Sequence, residues 1–316
     1  MPVMQTTGSL STRAVGHISN PVTTTTGAFS INSEFAIFNY GMSNSTAGGV
    51  RSTLRDVHLI ATGTFTKIKG LLVASAYQSA INNSTIGVVA RGFIGTDTDA
   101  RELYRYATDE SVITTVSSSK GIYGSGMSND AQGIMALGYT GGYLNTRNKY
   151  TYATETSVAA ASASFPSCSG GAAGTMTQGL FVLGGGSGGY TKNTDKYTYA
   201  TDTSTAGPML LNIVGLGAVT GNATTVIIAI GQTKNSTLKY TYANDTVVAA
   251  ATLSTTLVQG SAAGGATTAI ISLGSTTGGK RNKYLYSTGV MGLTNAPTEA
   301  SYLGSAFGCG TVGVNK

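Results

Sequence analysis

The chain carries no tryptophan, two cysteines, two histidines and five prolines in 316 residues, and only 10% of its residues are charged. Each scarcity excludes something. Two cysteines, Cys168 and Cys309, cannot build the disulfide framework that staples small secreted domains. With His17 and His58 they make four soft ligands, but their spacing matches no closed zinc site, and no metal or cofactor is expected. Five prolines leave most strands free of ladder breakers. No run approaches the roughly 20 apolar residues of a membrane helix, and "MPVMQTTGSLSTRAVGHISN" holds no secretory h-region. The expectation is a chain made in a bacterial cytoplasm that does not insert into a membrane.

What the sequence has instead is Ser, Thr, Gly, Ala and Val, with 44 glycines and 17 tyrosines, a mixture that favours strands and turns. Runs such as "SVAAASASF" (157–165) lack the i, i+3, i+4 apolar spacing of an amphipathic helix, so almost no helix is expected. One phrase recurs: "NKYTYATETS" (148–157), "DKYTYATDTS" (195–204) and "LKYTYANDTV" (238–247), with looser copies "LYRYATDESV" (103–112) and "NKYLYSTGVM" (282–291). The first tyrosines, Tyr104, Tyr150, Tyr197, Tyr240 and Tyr284, are 46, 47, 43 and 44 residues apart. A period of that size marks one supersecondary unit per repeat, stacked or closed into a ring.

Within a repeat the pattern is constant. A short apolar run ("GLFVL", 179–183) reads as a strand buried on both faces, and "GGGSGGYTKNTD" (184–195) as a loop permitting positive φ. "KYTYA" (196–200) then alternates, with Tyr197 and Tyr199 on one face. The phrase is thus the third strand of a repeated antiparallel sheet. Its tyrosine pair (Tyr104/Tyr106, Tyr150/Tyr152, Tyr197/Tyr199, Tyr240/Tyr242, Tyr284/Tyr286) is expected to pack on the neighbouring sheet. A weaker first copy joins "FAIFNYG" (35–41) to "TLRDVHLI" (53–60), with Asp56 set 48 residues before Tyr104. "SYLGSAFGCGTVGV" (301–314) resembles the strand that opens a repeat, and nothing in the sequence follows to complete it. Joining the two ends in one blade closes a ring without exposed sheet edges. The fold expected is all-β: a six-bladed β-propeller of four-stranded antiparallel blades over 33–316, preceded by an extended N-terminal arm over 1–32.

An apolar strand ending in Gly, then a turn and a Tyr, resembles the Kelch repeat of β-propellers. The family's glycine doublet is matched at Gly184-Gly185, and single glycines hold the position at Gly92, Gly138, Gly231 and Gly274; the family's repeated Trp is absent. The low-charge, Ser/Thr/Gly-rich style with "KYTYAT" phrases resembles Kelch-like proteins of tailed bacteriophages. That resemblance implies a non-enzymatic structural component of a virion, tail-associated or on the capsid surface. The alternatives are a glycan-binding host-receptor module at a fibre tip and a degenerate Kelch-like oxidase.

Catalytic constellations are hard to find. His58 sits where other repeats carry a packing tyrosine, which favours a structural role. Asp97, Asp99 and Glu102 in "TDTDARE" have oxygen-ligand spacing for calcium, but a solvated turn explains them better. "GGGSGG" (184–189) and "GSTTGGK" (274–280) mimic nucleotide-binding glycine loops, yet each precedes a strand where a helix is required. Cys168 and Cys309 fall on blades opposite each other in the ring, too far apart for a disulfide, so two free thiols are expected.

The net charge is +6. Lys149, Lys196, Lys239 and Lys283 recur before the tyrosines, Lys192, Lys280 and Arg281 lie in the preceding loops, and the first two blades are basic. The plain reading is a solubilising set. The sharper one is a docking face of Arg51, Arg55, Lys67, Lys69, Arg101 and Arg105 for an acidic partner. Other virion subunits, reached through the Thr-rich arm, and host surface polysaccharide are the expected partners; nucleic acid is disfavoured because no aromatic-basic motif is present.

Overall fold

The structure, a computed structural model, describes residues 35–41, 51–90, 92–114, 120–136, 138–257, 259–274, 280–295 and 305–309. The N-terminal arm lies outside these residues, as does the 275–279 part of the second glycine cluster. Among the described residues there is no α-helix, hence none long and apolar enough to cross a membrane.

Six four-stranded antiparallel sheets form a six-bladed β-propeller. The second blade shows the plan. Its inner strand is Ser79–Asn82, followed outward by Ile86–Ala90, Arg101–Arg105 and Glu110–Thr114. The next four blades repeat this order and begin at Ser125, Gly171, Ala218 and Ser261. The first blade is composite. Ser305–Cys309 is its inner strand and pairs antiparallel with Phe35–Asn39, which continues to Arg55–Leu59 and Thr64–Lys67. This inner strand touches those of the second and sixth blades, so both chain ends close the ring.

Registers place the tyrosine phrase in the third strand of blades two to six. Tyr197 faces Gly179 on one side and Ser204 on the other, as Tyr150 faces Gly133 and Ser157. In the first blade the equivalent residue is His58, opposite Ala36. The first repeat is therefore aligned through His58, not Asp56; the 48-residue step set at the sequence level slipped by one pleat, two residues. Asp56 is instead the counterpart of Glu102, one residue after an arginine in each case.

Each blade packs on the next through one apolar cluster. Phe35, Ile37 and Val57 of the first blade meet Tyr104 and Tyr106 of the second. Ile81 and Val88 meet Tyr150 and Tyr152, and Met127 and Ile134 meet Tyr197 and Tyr199. Leu180 and Val182 then meet Tyr240, and Ile227 and Ala229 meet Tyr284. Between the sixth and first blades, where the first tyrosine is His58 and the second Ile60, the cluster shrinks to Ala36, Phe38, Ile60, Ala263 and Ile270. At the other five seams the tyrosines bring large apolar rings, and the hydroxyls of Tyr104, Tyr150, Tyr197 and Tyr240 reach polar partners.

All five pairs pack against the neighbouring blade, but to different depths. Tyr106, Tyr152 and Tyr199 are buried members of their clusters, whereas Tyr242 and Tyr286 are only partly buried and sit at the margin. Tyr286 follows the last ladder pair of its strand, Thr268 with Leu285, and meets Tyr284 edge-on at 5.6 Å between centroids. Phe35 stands edge-on to Tyr106 at 5.4 Å, while Tyr286 packs against the margin of the cluster that contains Ile227, Leu253 and Tyr284. Gly133 is the opposite case, a close fit: a Cβ there would lie 2.3 Å from Ile81 Cδ1 and 2.7 Å from the Tyr152 hydroxyl. "GGGSGGYTKNTD" is not wholly a loop, since Gly185–Gly186 pairs with Gly189–Tyr190 in a small hairpin.

Candidate functional site

The chain's buried charges lie between blades. The third strands open on Arg55, Arg101, Arg147, Thr194, Thr237 and Arg281 in blades one to six, and each next residue faces the preceding blade. Arg55 Nη2 lies 3.3 Å from Glu102 Oε1, and Arg147 Nη2 lies 2.6 Å from Asp195 Oδ2. Arg281 Nη2 lies 2.9 Å from Asp56 Oδ2 and closes the ring from the sixth blade back to the first. Arg101 donates to Asn148 Oδ1 at 2.8 Å and Ser157 Oγ at 2.6 Å, with no carboxylate in that link. Burial pulls the Arg101 pKa down to about 10. It also lowers those of Arg55 and Arg147, while the facing Glu102 and Asp195 oppose the shift. Planar guanidiniums suit this position because one fork can serve an anion, a hydroxyl and an aromatic face together. Arg147 stands 4.1 Å over the Phe181 ring and donates to Ser204 Oγ as well.

Two members of the expected docking face are thereby corrected. Arg55 and Arg101 are fully buried, so no partner can reach them. Arg105 is half exposed but pairs with Glu155 of the third blade at 2.5 Å. Arg281, expected in a loop, opens a strand and is buried. Three of the four recurrent lysines also reach the next blade. Lys149 pairs with Asp202 and Lys196 with Asp245, each one blade on and each at 2.8 Å, and Lys283 donates to Ile60 O. Asp202 additionally accepts from the Tyr197 hydroxyl at 2.5 Å and the Ala161 amide at 3.0 Å. Burial alone would raise its carboxyl pKa, but these three donors outweigh it and hold the group below the usual range. The dipeptides "RD", "RE", "RN" and "RN" at one repeat position are the sequence signal for the buried ladder.

The propeller's central channel is lined in the described blades by small, uncharged residues, among them Ser79, Gly126, Ser128, Ala173 and Ser261, around about 100 Å³ of open space. At one mouth the chain enters each inner strand through a left-handed residue: Tyr77, Tyr123, Ser169, Leu216 and Gln259, with φ between 54° and 59°. Their backbones are linked in series from the second blade to the sixth. Tyr123 N donates to Tyr77 O, Ser169 N to Tyr123 O, Leu216 N to Ser169 O and Gln259 N to Leu216 O, at 2.8–3.1 Å. The glycine that ends each second strand supports this collar. Gly138, with φ 80°, would place a Cβ 2.1 Å from Ile122 O, which explains the recurrent Gly92, Gly138, Gly184, Gly231 and Gly274. Side chains on the collar differ from blade to blade. Tyr77 and Tyr123 stack at 4.3 Å between centroids, Phe93 lies 6.0 Å beyond Tyr77, and Arg51 stands 5.6 Å over Phe93. Leu216 and Gln259 face them in a recess of about 60 Å³.

His58 is fully buried at the sixth–first seam, with neither ring nitrogen hydrogen-bonded, and burial beside Arg281 and Lys283 lowers its pKa to about 3. A buried neutral imidazole there is out of reach of a substrate. Glu102 of the supposed calcium loop turns inward to Arg55 and the Leu72 amide. Among the described residues no three His, Cys, Asp or Glu side chains converge on a metal position. Cys168 is a free, half-buried thiol; the Cys309 side chain lies outside the described residues.

Comparison with known proteins adds fold and nothing finer. No protein-family model matches the chain, and no curated protein matches it. Among solved structures it is similar to one titled "Structure of YjhT", with a TM-score of 0.57 at 9% identity over 74% of this chain and 87% of that one. At that identity the likeness is one of architecture.

Proposed function

We propose that the protein is a non-enzymatic, Kelch-like component of a tailed-phage particle, a rigid propeller that presents surface to other subunits or to the host. One observation carries this reading. The ionisable side chains that cluster in this sparsely charged chain are spent between blades, on Arg55–Glu102, Arg147–Asp195, Arg281–Asp56 and Lys149–Asp202. The channel lining in the described blades is uncharged. General acid–base and nucleophilic chemistry need a titratable group placed at a reachable site, whereas here such groups fix one blade against the next. Phage origin is supported by the repeat phrase and the Ser/Thr/Gly-rich style. The arm over 1–32 is the proposed attachment element, adding extended backbone to a neighbouring subunit. Deleting 1–32 is expected to leave the melting curve unchanged while removing the protein from purified particles, read by mass spectrometry with copy-number estimation. Normal incorporation of the deleted form would reject the arm; absence of the full-length protein from particles would reject the virion role.

A second reading, host-glycan contact, is favoured by the collar alone. Its stacked Tyr77 and Tyr123 beside neutral polar groups are the chemistry of sugar recognition.

A further inference from the structure

The collar repeats one left-handed backbone at the five described blades while its side chains vary: tyrosine in two neighbouring blades, then Ser169, Leu216 and Gln259. Backbone repetition serves the ring; the side-chain differences serve something else. Tyr77 and Tyr123 offer aromatic surface on one side of the recess, and both are half-buried rather than sealed into a seam. The Tyr77 hydroxyl makes no hydrogen bond among the described residues, unlike the hydroxyls of Tyr104, Tyr197 and Tyr240, which reach Asp109, Asp202 and Asp245. Gln259, from the sixth blade, lines the same recess. Its side-chain oxygen is shielded from water and accepts no hydrogen bond from the described residues, so reorienting the amide toward a ligand breaks no existing bond. A buried carbonyl without a donor is a standing cost that a ligand hydroxyl can relieve.

From this arrangement we propose that the channel mouth binds a hexopyranose unit of a glycan, its apolar face on Tyr77 and Tyr123 and its hydroxyls on the Gln259 amide and the Tyr77 hydroxyl. The inference deepens the host-contact reading and rests on it for the choice of ligand. A pyranose fits for three reasons. It has one face of C–H groups for a ring and an equator of neutral hydroxyls for amides. The recess carries no charged side chain among the described residues to demand an ionic ligand. The Gln259 side-chain oxygen, buried without a donor among the described residues, can take one of those hydroxyls. Preorganisation comes from the collar, since the backbones bearing Tyr77, Tyr123 and Gln259 are held by hydrogen bonds to neighbouring blades before any ligand arrives.

Saturation-transfer NMR with the methyl glycosides of glucose, galactose and mannose as probes tests this on the full-length protein. Transfer to the ring protons of at least one glycoside is expected. It should weaken about tenfold in Tyr77→Asn, which keeps a residue tolerant of the left-handed backbone but removes the ring. Gln259→Leu should weaken it as well, with both variants melting like the parent. No transfer from any of the three glycosides, or transfer undiminished in the variants, overturns the site. Should Tyr77→Asn fail to fold, Gln259→Leu decides alone. Particle incorporation is measured separately through the 1–32 deletion, so failure of the sugar site and failure of the virion role give different results.

Discussion

Arg147 Nη2 and Asp195 Oδ2 lie 2.6 Å apart across the seam between the third and fourth blades, both side chains wholly excluded from water. The next seam has the same geometry without the charges: Thr194 stands where Arg147 does and Leu238 where Asp195 does, and the Thr194 hydroxyl turns back to Pro208 O at 2.7 Å. The chain therefore contains its own uncharged counterpart of a buried ion pair. Removing one partner leaves an uncompensated buried charge, at about 3–5 kcal/mol. Asp195→Ala should lose about that much in urea unfolding. The double exchange Arg147→Thr with Asp195→Leu should recover part of it, the rest being the cavity left where the guanidinium packs on Phe181; a double variant no more stable than Asp195→Ala would show that the pair and its uncharged counterpart are not interchangeable.

Asp202 joins a turn to a seam. Its φ of 50° is left-handed, and its carboxylate takes Tyr197, Lys149 and the Ala161 amide together. The sixth blade has Gly289, with φ 71°, in the corresponding turn. Asp202→Gly keeps the backbone and loses the bonds, at about 1–2 kcal/mol. Asp202→Ala should cost about 1 kcal/mol more, because the left-handed strain remains. Equal losses in the two variants would mean the turn carries no strain.

Acid should loosen the closing seam first. The unfolded His58 titrates near its ordinary 6.5, whereas the buried one holds out to about 3 because it has lost hydration and faces Arg281 and Lys283. Between those values the unfolded state binds the extra proton, so stability is full above pH 6.5 and falls with pH through the window, by about 1.4 kcal/mol per unit at steepest. His58→Phe removes both unpaired nitrogens and should flatten that slope in urea titrations from pH 7 to 4. An unchanged slope would place the acid sensitivity elsewhere.

Ser305–Cys309 gives the first blade its inner strand and gives Phe35–Asn39 its second neighbour. Truncation after 300 should expose a sheet edge and break ring contact with the second and sixth blades. A melting temperature lower by about 10 °C or more, with aggregation, is expected. A truncated chain that melts within a few degrees of the parent would mean that closure adds little.

Periodicity alone specified the blade count, the third-strand position of the tyrosines and the completion of the first blade from both chain ends. A 2-residue pleat and a repeat near 46 residues leave few alternatives once each blade must cover its neighbour. The recurrent glycines were visible too, but not their reason, which is a carbonyl 2.1 Å from an added Cβ. How deeply each tyrosine is covered was not legible: Tyr106 and Tyr286 hold the same place in the phrase, and the side chains of the preceding blade bury the first and leave the second partly open. Whether a charge is used inside or outside was also beyond the sequence. Arg55 and Lys69 look alike in a list of basic residues, and only the approach of the second blade places one against Glu102 and leaves the other near the surface. The collar was equally hidden. Tyr77, Tyr123 and Gln259 share no motif, and they meet only because strands from different blades converge on one axis. Local pattern determined the blades, and what the ring encloses was decided by packing between them.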